Sequence, residues 1–209
     1  MSVISEKSPK DCATKKASSK LEKKTYLYLS TLLLSLLSLI LLIYLILHPS
    51  KPHFSLREAD INQLNLSFPS LLNSSIQITL QSDNPNTKVG IYYDEFVLYA
   101  SYKGQRITPE AGLPPFYQGH GETSLLSASL VGFQLPVAPS FAYEVQRDQT
   151  AGRLALTFKA MGKLRWKVGT WVSGRYRFIV SCVAVMPLGP TMPSPPLRSR
   201  QTSHCSTSM

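Results

Sequence analysis

The pattern that decides the fold runs from Gly152 to Gly169 and reads GRLALTFKAMGKLRWKVG. Its even positions are mainly apolar, namely Leu154, Leu156, Phe158, Leu164, Trp166 and Val168. Most odd positions are polar, and this period-two alternation is typical of a β-strand with one buried face. The parity continues across Gly162. The run therefore predicts either one long strand kinked at this glycine or two strands around a tight turn.

Shorter runs of strand character lie on both sides of this pattern. Turn-forming residues separate them, for example Asp83–Asn86 and the two-residue turn Lys103-Gly104. One short helix is predicted over Phe141–Gln149, with Ser140 as its cap. Short strands joined by turns, with a single minor helix, predict an antiparallel β-sandwich. The other predicted strands lie around Phe54 and over Ile76–Leu80, Val89–Tyr93, Phe96–Tyr102, Phe116–Gln118, Ser124–Val131 and Arg175–Val185.

The stretch from Tyr26 to Leu47 precedes all of these strands and contains no charged residue. A helix of roughly 20 apolar residues can cross the ~30 Å hydrocarbon core of a bilayer, so we predict a transmembrane helix here. Lysines dominate the preceding tail, and the basic flank of a membrane helix stays in the cytoplasm. A cleaved signal peptide is disfavoured, because the run is long and His48–Lys51 offers no small-x-small cleavage site. We interpret the helix as a signal anchor with the amino terminus inside the cell.

These boundaries divide the chain into four parts. Residues 1–25 form a basic cytoplasmic tail that is predicted to be disordered, and residues 26–47 form the anchor. Residues 48–186 form one extracellular β-sandwich domain, and residues 187–209 form a Pro/Ser-rich tail that is also predicted to be disordered. The net charge of +10 comes partly from the amino-terminal lysines, which can lie against anionic lipid. We predict the lipid bilayer as a partner and no nucleic acid.

Two asparagines after the anchor occur in N-glycosylation motifs. They are Asn65 in Asn-Leu-Ser and Asn73 in Asn-Ser-Ser. The orientation of the anchor would expose both to the lumen during synthesis. Both are therefore predicted glycosylation sites.

Three cysteines occur in the chain: Cys12, Cys182 and Cys205. The predicted topology places only the last two in the same compartment, and their spacing is typical of neither a metal site nor a redox motif. Cys182 has the same parity as the apolar residues of its strand, so we interpret it as a buried free thiol rather than as half of a bridge to Cys205. The hydrophobic core alone is then expected to hold the fold.

The sequence shows no catalytic or metal-binding pattern. His120 is the one histidine well inside the domain, and a single histidine makes neither a catalytic triad nor a zinc site. The acidic residues of the domain occur near turns and element ends, where capping accounts for them. No phosphate-binding loop, G-x-S-x-G or H-E-x-x-H motif is present. We predict that the protein is not an enzyme and binds no cofactor or metal.

The sharpest candidate site is a group of cations in the last third of the chain. Three lie on one face of the long strand and two lie beyond the Gly169–Gly174 loop, so strand pairing would crowd like charges together. An acidic partner would relieve that repulsion, such as anionic lipid, acidic wall polysaccharide or an immune or stress signalling protein. A solvated basic face screened by salt is the alternative. The candidate residues are Lys163, Arg165, Lys167, Arg175 and Arg177.

An ordered series of motifs resembles a known family. The motifs are Asn84-Pro85-Asn86, Ile91-Tyr92-Tyr93-Asp94, Tyr102-Lys103-Gly104, Pro115-Phe116-Tyr117-Gln118, Leu164–Gly169 and a strand ending at Cys182. The series resembles the late embryogenesis abundant subgroup-two domain, and more closely the plant harpin-induced-like and non-race-specific-disease-resistance-like membrane proteins.

This resemblance implies an immunoglobulin- or fibronectin-III-like sandwich at the plasma membrane. It also implies a role in plant defence, including the hypersensitive response to pathogens, or in abiotic stress, and it assigns no catalytic residues. The expected function is a single-pass membrane protein that presents an extracellular interaction domain. A lipid-binding module and a cell-wall tether are the alternatives.

Overall fold

The computed structural model describes residues 9–47, 49–67, 70–187, 197–199 and 203–209. The chain divides after His48 into two compact units, an amino-terminal helix and a β-domain. The described elements are α1 (Pro9–Leu47), β1 (His53–Ser67), β2 (Leu71–Asp83), β3 (Gly90–Tyr102), β4 (Gln105–Arg106), β5 (Ala111–Leu113), β6 (Phe116–Gln118), β7 (Thr123–Pro136), α2 (Phe141–Thr150), β8 (Arg153–Val168), β9 (Trp171–Val172), β10 (Tyr176–Pro187), β11 (Leu197–Ser199), β12 (Ser203–His204) and β13 (Ser206–Ser208).

Helix α1 contains the predicted anchor and begins earlier than the sequence analysis expected. Its segment Lys23–Leu42 has a mean hydropathy of 2.0 and its side chains are not buried, which is compatible with a membrane anchor. Residues 1–25 were predicted to be disordered, but residues 9–25 continue the same helix. Residues 1–8 lie outside the described residues. Extending an existing helix costs less than nucleating one, and Pro9 is at the first helical position, where proline is tolerated.

The described strands form two antiparallel sheets, as predicted. The first sheet has the order β11-β1-β2-β7, with β12 also pairing with β1. The second has the order β13-β10-β8-β3-β4, with β5 and β6 also on β3 and β9 also on β8. The predicted turn at Lys103-Gly104 joins β3 to β4, and both of its residues have positive φ. The predicted helix is α2, and its residues Phe141 and Val145 are buried.

The two sheets enclose one hydrophobic core. Alternate residues of β8 face inward, and Leu154, Leu156 and Leu164 are completely buried. Aromatic rings meet between the sheets, where Phe54 of β1 stacks on Phe178 of β10 with ring centroids 6.1 Å apart. The domain is therefore a β-sandwich whose layers are joined by the residues that the period-two pattern identified.

Gly162 settles the open question about the long alternating run. Strand β8 is continuous, and Gly162 pairs with Phe96 of β3 and Phe178 of β10. A Cβ atom at this position would be 1.8 Å from the carbonyl oxygen of Glu95. The register of β3 shifts between Tyr93 and Glu95, next to this contact. Glycine is thus needed because the bulged backbone of β3 approaches β8 closely, and no turn interrupts the strand.

The carboxyl-terminal segment corrects two predictions. Residues 187–209 were predicted to be disordered, but the described residues among them form strands: β11 and β12 pair with β1, and β13 pairs with β10. Residues 188–196 and 200–202 lie outside the described residues. Cys182 was interpreted as a free thiol, but it forms a disulfide with Cys205. Cys182 is buried as expected. The segment was missed because strands of two or three Ser- and Thr-rich residues are too short to show a period.

The disulfide links the two sheets through Cys205. Its sulfur is bonded to β10 of the second sheet, and its backbone N–H donates a hydrogen bond of 3.0 Å to the carbonyl of Phe54 in the first sheet. Residues on either side of Cys205 continue into β12 on β1 and β13 on β10. The carboxyl-terminal segment therefore closes one side of the sandwich.

Replacing Cys205 with Ser should lower the free energy of unfolding by about 3 kcal/mol, because the unfolded chain loses the cross-link that closes this loop. The full chain in detergent micelles can be unfolded with denaturant and followed through the fluorescence of buried Trp166. Cys12→Ser is the matched control and should leave the transition unchanged. Equal stability of the Cys205→Ser variant and the parent would contradict a structural role for the disulfide.

Candidate interaction surface

The five predicted cations lie together on the outer face of the second sheet, which we call the basic face. Lys163, Arg165 and Lys167 alternate with the buried residues of β8. Arg177 of β10 is directly opposite Lys163, and Arg175 immediately precedes β10. Strand pairing therefore brings at least these two like charges, Lys163 and Arg177, next to each other.

Two acidic residues of the same chain form ion pairs with three of these five cations. Arg165 binds Asp94 through two nitrogens, with Nε 2.8 Å from Oδ2 and Nη2 2.6 Å from Oδ1. The Nε atom of Arg175 is 3.2 Å from the same carboxylate, and the ammonium of Lys163 is 2.9 Å from Oε1 of Glu95. Carboxylates of the same chain therefore reduce the repulsion among these three cations, and binding of an acidic partner stays a prediction.

The bulge in β3 explains how these carboxylates reach the basic face. Tyr93 pairs with Leu164 and Glu95 pairs with Lys163, so Asp94 is the extra residue on β3. From the sequence, both acids were expected in a turn or near the end of an element. An Asp-Glu pair inside an otherwise alternating β-branched and aromatic run was the available signal for a bulge.

Asp94 is held in its charged form by this arrangement. The hydrogen bonds from Arg165 lower the pKa of Asp94, partial burial opposes them, and the bond from Arg175 adds to the lowering. The same contact raises the pKa of the Arg165 guanidinium. We call Asp94, Arg165 and Arg175 the ionic lock. It links β3, β8 and the residue that precedes β10.

Lys167 differs from its neighbours because it forms no ion pair within the described residues. Its ammonium lies over two aromatic rings, 5.6 Å from the centroid of Tyr92 and 5.1 Å from that of Tyr117. These two rings are 4.6 Å apart and belong to a cross-strand pair between β3 and β6. We call Tyr92, Tyr117 and Lys167 the tyrosine–lysine patch.

The position of Tyr117 depends on a neighbouring glycine. A Cβ atom on Gly90 would collide with the hydroxyl end of the Tyr117 ring, so a larger residue at position 90 would displace the ring from this position. Tyr117 remains 45% exposed. The patch therefore offers solvent an aromatic surface with a cation on it, which suits a ligand that combines a ring or apolar plane with an acidic group.

Arg177 is the other candidate cation without an acidic partner among the described residues. It is exposed on β10, and its neighbour Lys163 is occupied by Glu95. Two of the five predicted cations, Lys167 and Arg177, therefore keep their charge available.

The Asn84-Pro85-Asn86 motif has a structural role. The side-chain amide of Asn84 donates to the carbonyls of Val89 and Gly119, each at 2.8 Å. Asn86 clamps Ser50: its Nδ2 donates to the Ser50 carbonyl and its Oδ1 accepts the Ser50 N–H. These bonds fix the segment through which the chain enters the domain, as expected of side chains that satisfy backbone groups.

A buried polar cluster also has a structural explanation. Ser82, Tyr93 and Gln118 bond to one another inside the sandwich, and Gln118 Nε2 donates to the carbonyls of Ser82 and Glu122. Burial raises the pKa of Tyr93, so its hydroxyl stays protonated. His120 is exposed in a turn. Among the described residues, no three His, Cys, Asp or Glu side chains form a group that could hold a metal ion.

The two predicted glycosylation sites lie opposite each other in the β1–β2 hairpin. Asn65 is exposed on β1 and pairs with Asn73 of β2. Asn73 is half-buried, and its Oδ1 accepts a hydrogen bond of 2.8 Å from the N–H of Gln134. Asn65 is thus the more accessible of the two in the folded domain, and modification of either stays a prediction.

An apolar cleft lies between this hairpin and α2. Its volume is about 260 Å³, and it is lined mainly by Leu64, Leu66, Leu72, Phe141 and Val145. This cleft is the feature that corresponds to the lipid-binding alternative.

Comparison with known proteins identifies the family. Residues 79–183 match the family described as late embryogenesis abundant protein. NDR1/HIN1-like protein 26 of Arabidopsis thaliana is 54% identical over 213 residues, which cover 100% of both chains. The chain belongs to the NDR1/HIN1-like family. Two further members from the same plant are NDR1/HIN1-like protein 1, 44% identical over 72% of this chain and 73% of its own, and NDR1/HIN1-like protein 12, 43% identical over 71% of each chain.

The family match confirms the resemblance inferred from the motifs. Its range contains the ionic lock and the tyrosine–lysine patch, and it reaches Cys182 but ends before Cys205. The carboxyl-terminal strands therefore lie outside the matched late embryogenesis abundant range, although they pair with both sheets of the sandwich.

Asp94→Asn should destabilise the domain most at neutral pH. Because folding lowers the pKa of Asp94, its contribution is complete above the ordinary pKa of about 4 and is lost as the pH falls through the lower, folded value. Denaturant unfolding of the full chain in micelles at pH 7 and at steps down to pH 3 measures this. The difference between the variant and the parent should shrink on acidification.

Glu58→Gln is the control for this prediction, because Glu58 is exposed on β1 and lies outside the lock. It should show no comparable dependence on pH. A difference for Asp94→Asn that stays constant from pH 7 to pH 3 would contradict the ionic lock.

Proposed function

We propose that this protein is a non-enzymatic, single-pass plasma-membrane protein that presents its β-sandwich outside the cell as an interaction module in plant defence or abiotic stress. Membership of the NDR1/HIN1-like family supports this role. An apolar helix compatible with a membrane anchor supports the attachment.

Three features support an extracellular domain. The lysine-rich segment precedes the anchor and belongs on the cytoplasmic side. The disulfide between Cys182 and Cys205 is a bond that persists in oxidising compartments and is rare in the cytosol. Both glycosylation motifs follow the anchor, on the same side as the disulfide.

The acidic groups of the domain support a role in binding rather than catalysis. Asp94 belongs to the ionic lock, and Asp148 pairs with Lys103 at 3.0 Å and accepts the Tyr102 hydroxyl at 2.8 Å. Burial alone would raise the pKa of Asp148, but these bonds lower it overall. Such carboxylates remain charged at neutral pH and stabilise the fold through ion pairs and hydrogen bonds, whereas a catalytic acid or base must exchange protons.

The observation that carries the proposed binding role is the contrast between Lys167 and its neighbours. Lys163, Arg165 and Arg175 are paired with carboxylates of the same chain, whereas Lys167 lies over two tyrosine rings without a carboxylate among the described residues. A uronate of an acidic wall polysaccharide fits this patch, because its carboxylate can bind the ammonium and its sugar ring can pack on Tyr117. Arg177 adds a second available charge on the same sheet face.

Lys167→Glu and Arg177→Glu should each weaken binding to polygalacturonate about tenfold, because each removes a charge-assisted contact and introduces repulsion. Binding of the full chain in nanodiscs can be measured with immobilised polygalacturonate and, separately, with vesicles that contain anionic lipid. Arg153→Glu is the matched control, since it makes the same charge change at the far end of β8.

The result also separates the alternatives. Equal binding of polygalacturonate by Lys167→Glu, Arg153→Glu and the parent would contradict the proposal that the tyrosine–lysine patch binds a uronate. Vesicle binding that is retained by Lys167→Glu and Arg177→Glu would favour the apolar cleft and a lipid-binding role.

A topology experiment tests the orientation. In intact plant cells, protease added outside should degrade the β-domain and spare the amino-terminal tail and the anchor. Glycosidase treatment should increase the mobility of the parent protein but not that of an Asn65→Gln/Asn73→Gln variant. A β-domain that is protected from protease and unmodified would show that the proposed orientation is wrong.

A further inference from the structure

Strand β7 is a long edge strand with one side unpaired. It has 14 residues and lies at the end of the first sheet. Its strand pairing, within the part of the chain that the structure describes, is with β2 alone. The backbone groups along its other side are thus available to another strand.

Other long strands at the sheet margins are at least partly covered. In the described regions, β11 and β12 cover part of β1, β13 covers part of β10, and β4, β5 and β6 lie along β3. Among the described residues, β5 and the backbone of Ile107 approach β7, but no strand pairs with it on that side. Its inward-facing residues Leu126 and Ala128 are half-exposed. An exposed edge of this length is a ready template for pairing with a further strand.

The sequence of β7 carries no charge that would prevent pairing. Thr123–Pro136 contains no Lys, Arg, Asp or Glu, and its one proline is at its end. Edge strands are commonly protected by such charges, particularly lysine. The neighbouring strand β2 is also uncharged from Leu71 to Ser82. Two copies of this basic chain can therefore approach along this edge without bringing like charges together.

The outward face of β7 carries exposed apolar side chains. Leu125, Val131 and Phe133 are 66%, 57% and 75% exposed. Ser127 and Ser129 lie between them on the same face. When one copy is reversed about Ser129, the exposed Leu125 of each copy faces the exposed Phe133 of the other.

We propose that β7 pairs with β7 of a second copy of this chain, in an antiparallel arrangement centred on Ser129. This register places Leu125 opposite Phe133 of the second copy and Ser127 opposite Val131, and the two-fold symmetry repeats both contacts. The first sheet then continues from one copy into the other. The occupant is a second copy because reversal of this strand matches its own exposed residues, and both sides of the contact are uncharged.

Cysteine cross-linking of the full chain in native membranes tests the contact directly. In a Cys12→Ser background, Ser129→Cys should form a disulfide-linked dimer under mild oxidation, because the two-fold axis brings the two cysteines face to face. Thr79→Cys is the matched control. Thr79 lies on the same face but one strand further in, opposite Ser127, and should not cross-link.

A charge exchange tests the register. With Ser129→Cys as the reporter, Leu125→Lys alone and Phe133→Glu alone should each reduce the dimer about tenfold, because each places a charge against an apolar side chain. The Leu125→Lys/Phe133→Glu combination should return it to within about twofold of the parent, because the introduced ammonium then faces the introduced carboxylate of the second copy. The two positions are eight residues apart on one strand, so this rescue cannot occur within a single chain.

Three outcomes would overturn the proposal. These are cross-linking of Ser129→Cys that does not exceed that of Thr79→Cys, a combined variant that dimerises no better than the single variants, and cross-linking of Ser129→Cys only to a different protein.

Discussion

The covalent bond between Cys182 and Cys205 is the constraint that joins the two layers of this domain at their open side. The core fills the space between the sheets, but hydrophobic contact alone does not fix how far one margin can separate from the other. Cys205 fixes that margin with two bonds, a disulfide to β10 and a backbone hydrogen bond to Phe54 of β1. Phe54 is also the ring that stacks on Phe178 across the core. Phe54 therefore takes part both in the hydrogen bond that holds Cys205 and in the aromatic packing of the core.

Much of the fold could be predicted because its strands are long enough to show a period. The alternation of β8, the turn at Lys103-Gly104 and helix α2 each express a local rule that a single sequence displays. The carboxyl-terminal strands obey no such rule. They are two or three residues long and exist because an edge of each sheet was available to them. Their partners are far away in the sequence, so neither they nor the disulfide could be read from local pattern.

The candidate site was predictable in position but not in charge balance. The alternation of β8 places Lys163, Arg165 and Lys167 on one face whatever the rest of the chain does. Their pairing with Asp94 and Glu95 depends on a bulge in β3, and a one-residue irregularity changes which side chains meet across a sheet. The result is a surface on which three of the five cations are paired with carboxylates of the same chain. Lys167 and Arg177 are the two candidate cations that have no carboxylate partner among the described residues.

The two hydrogen bonds between Asn86 and Ser50 affect how the domain would bear tension on its amino-terminal segment. A membrane-anchored domain that is bound at its outer surface carries tension along the segment joining it to the anchor. That tension reaches the two Asn86–Ser50 hydrogen bonds before it reaches β1. Beyond the clamp, β1 is paired along nearly its whole length with β2, so a pull along its axis loads many hydrogen bonds at once instead of opening them one by one. The hydrogen bonds between Asn86 and Ser50 would thus bear tension at the point where the chain enters the sandwich, before the strand pairing of β1 does.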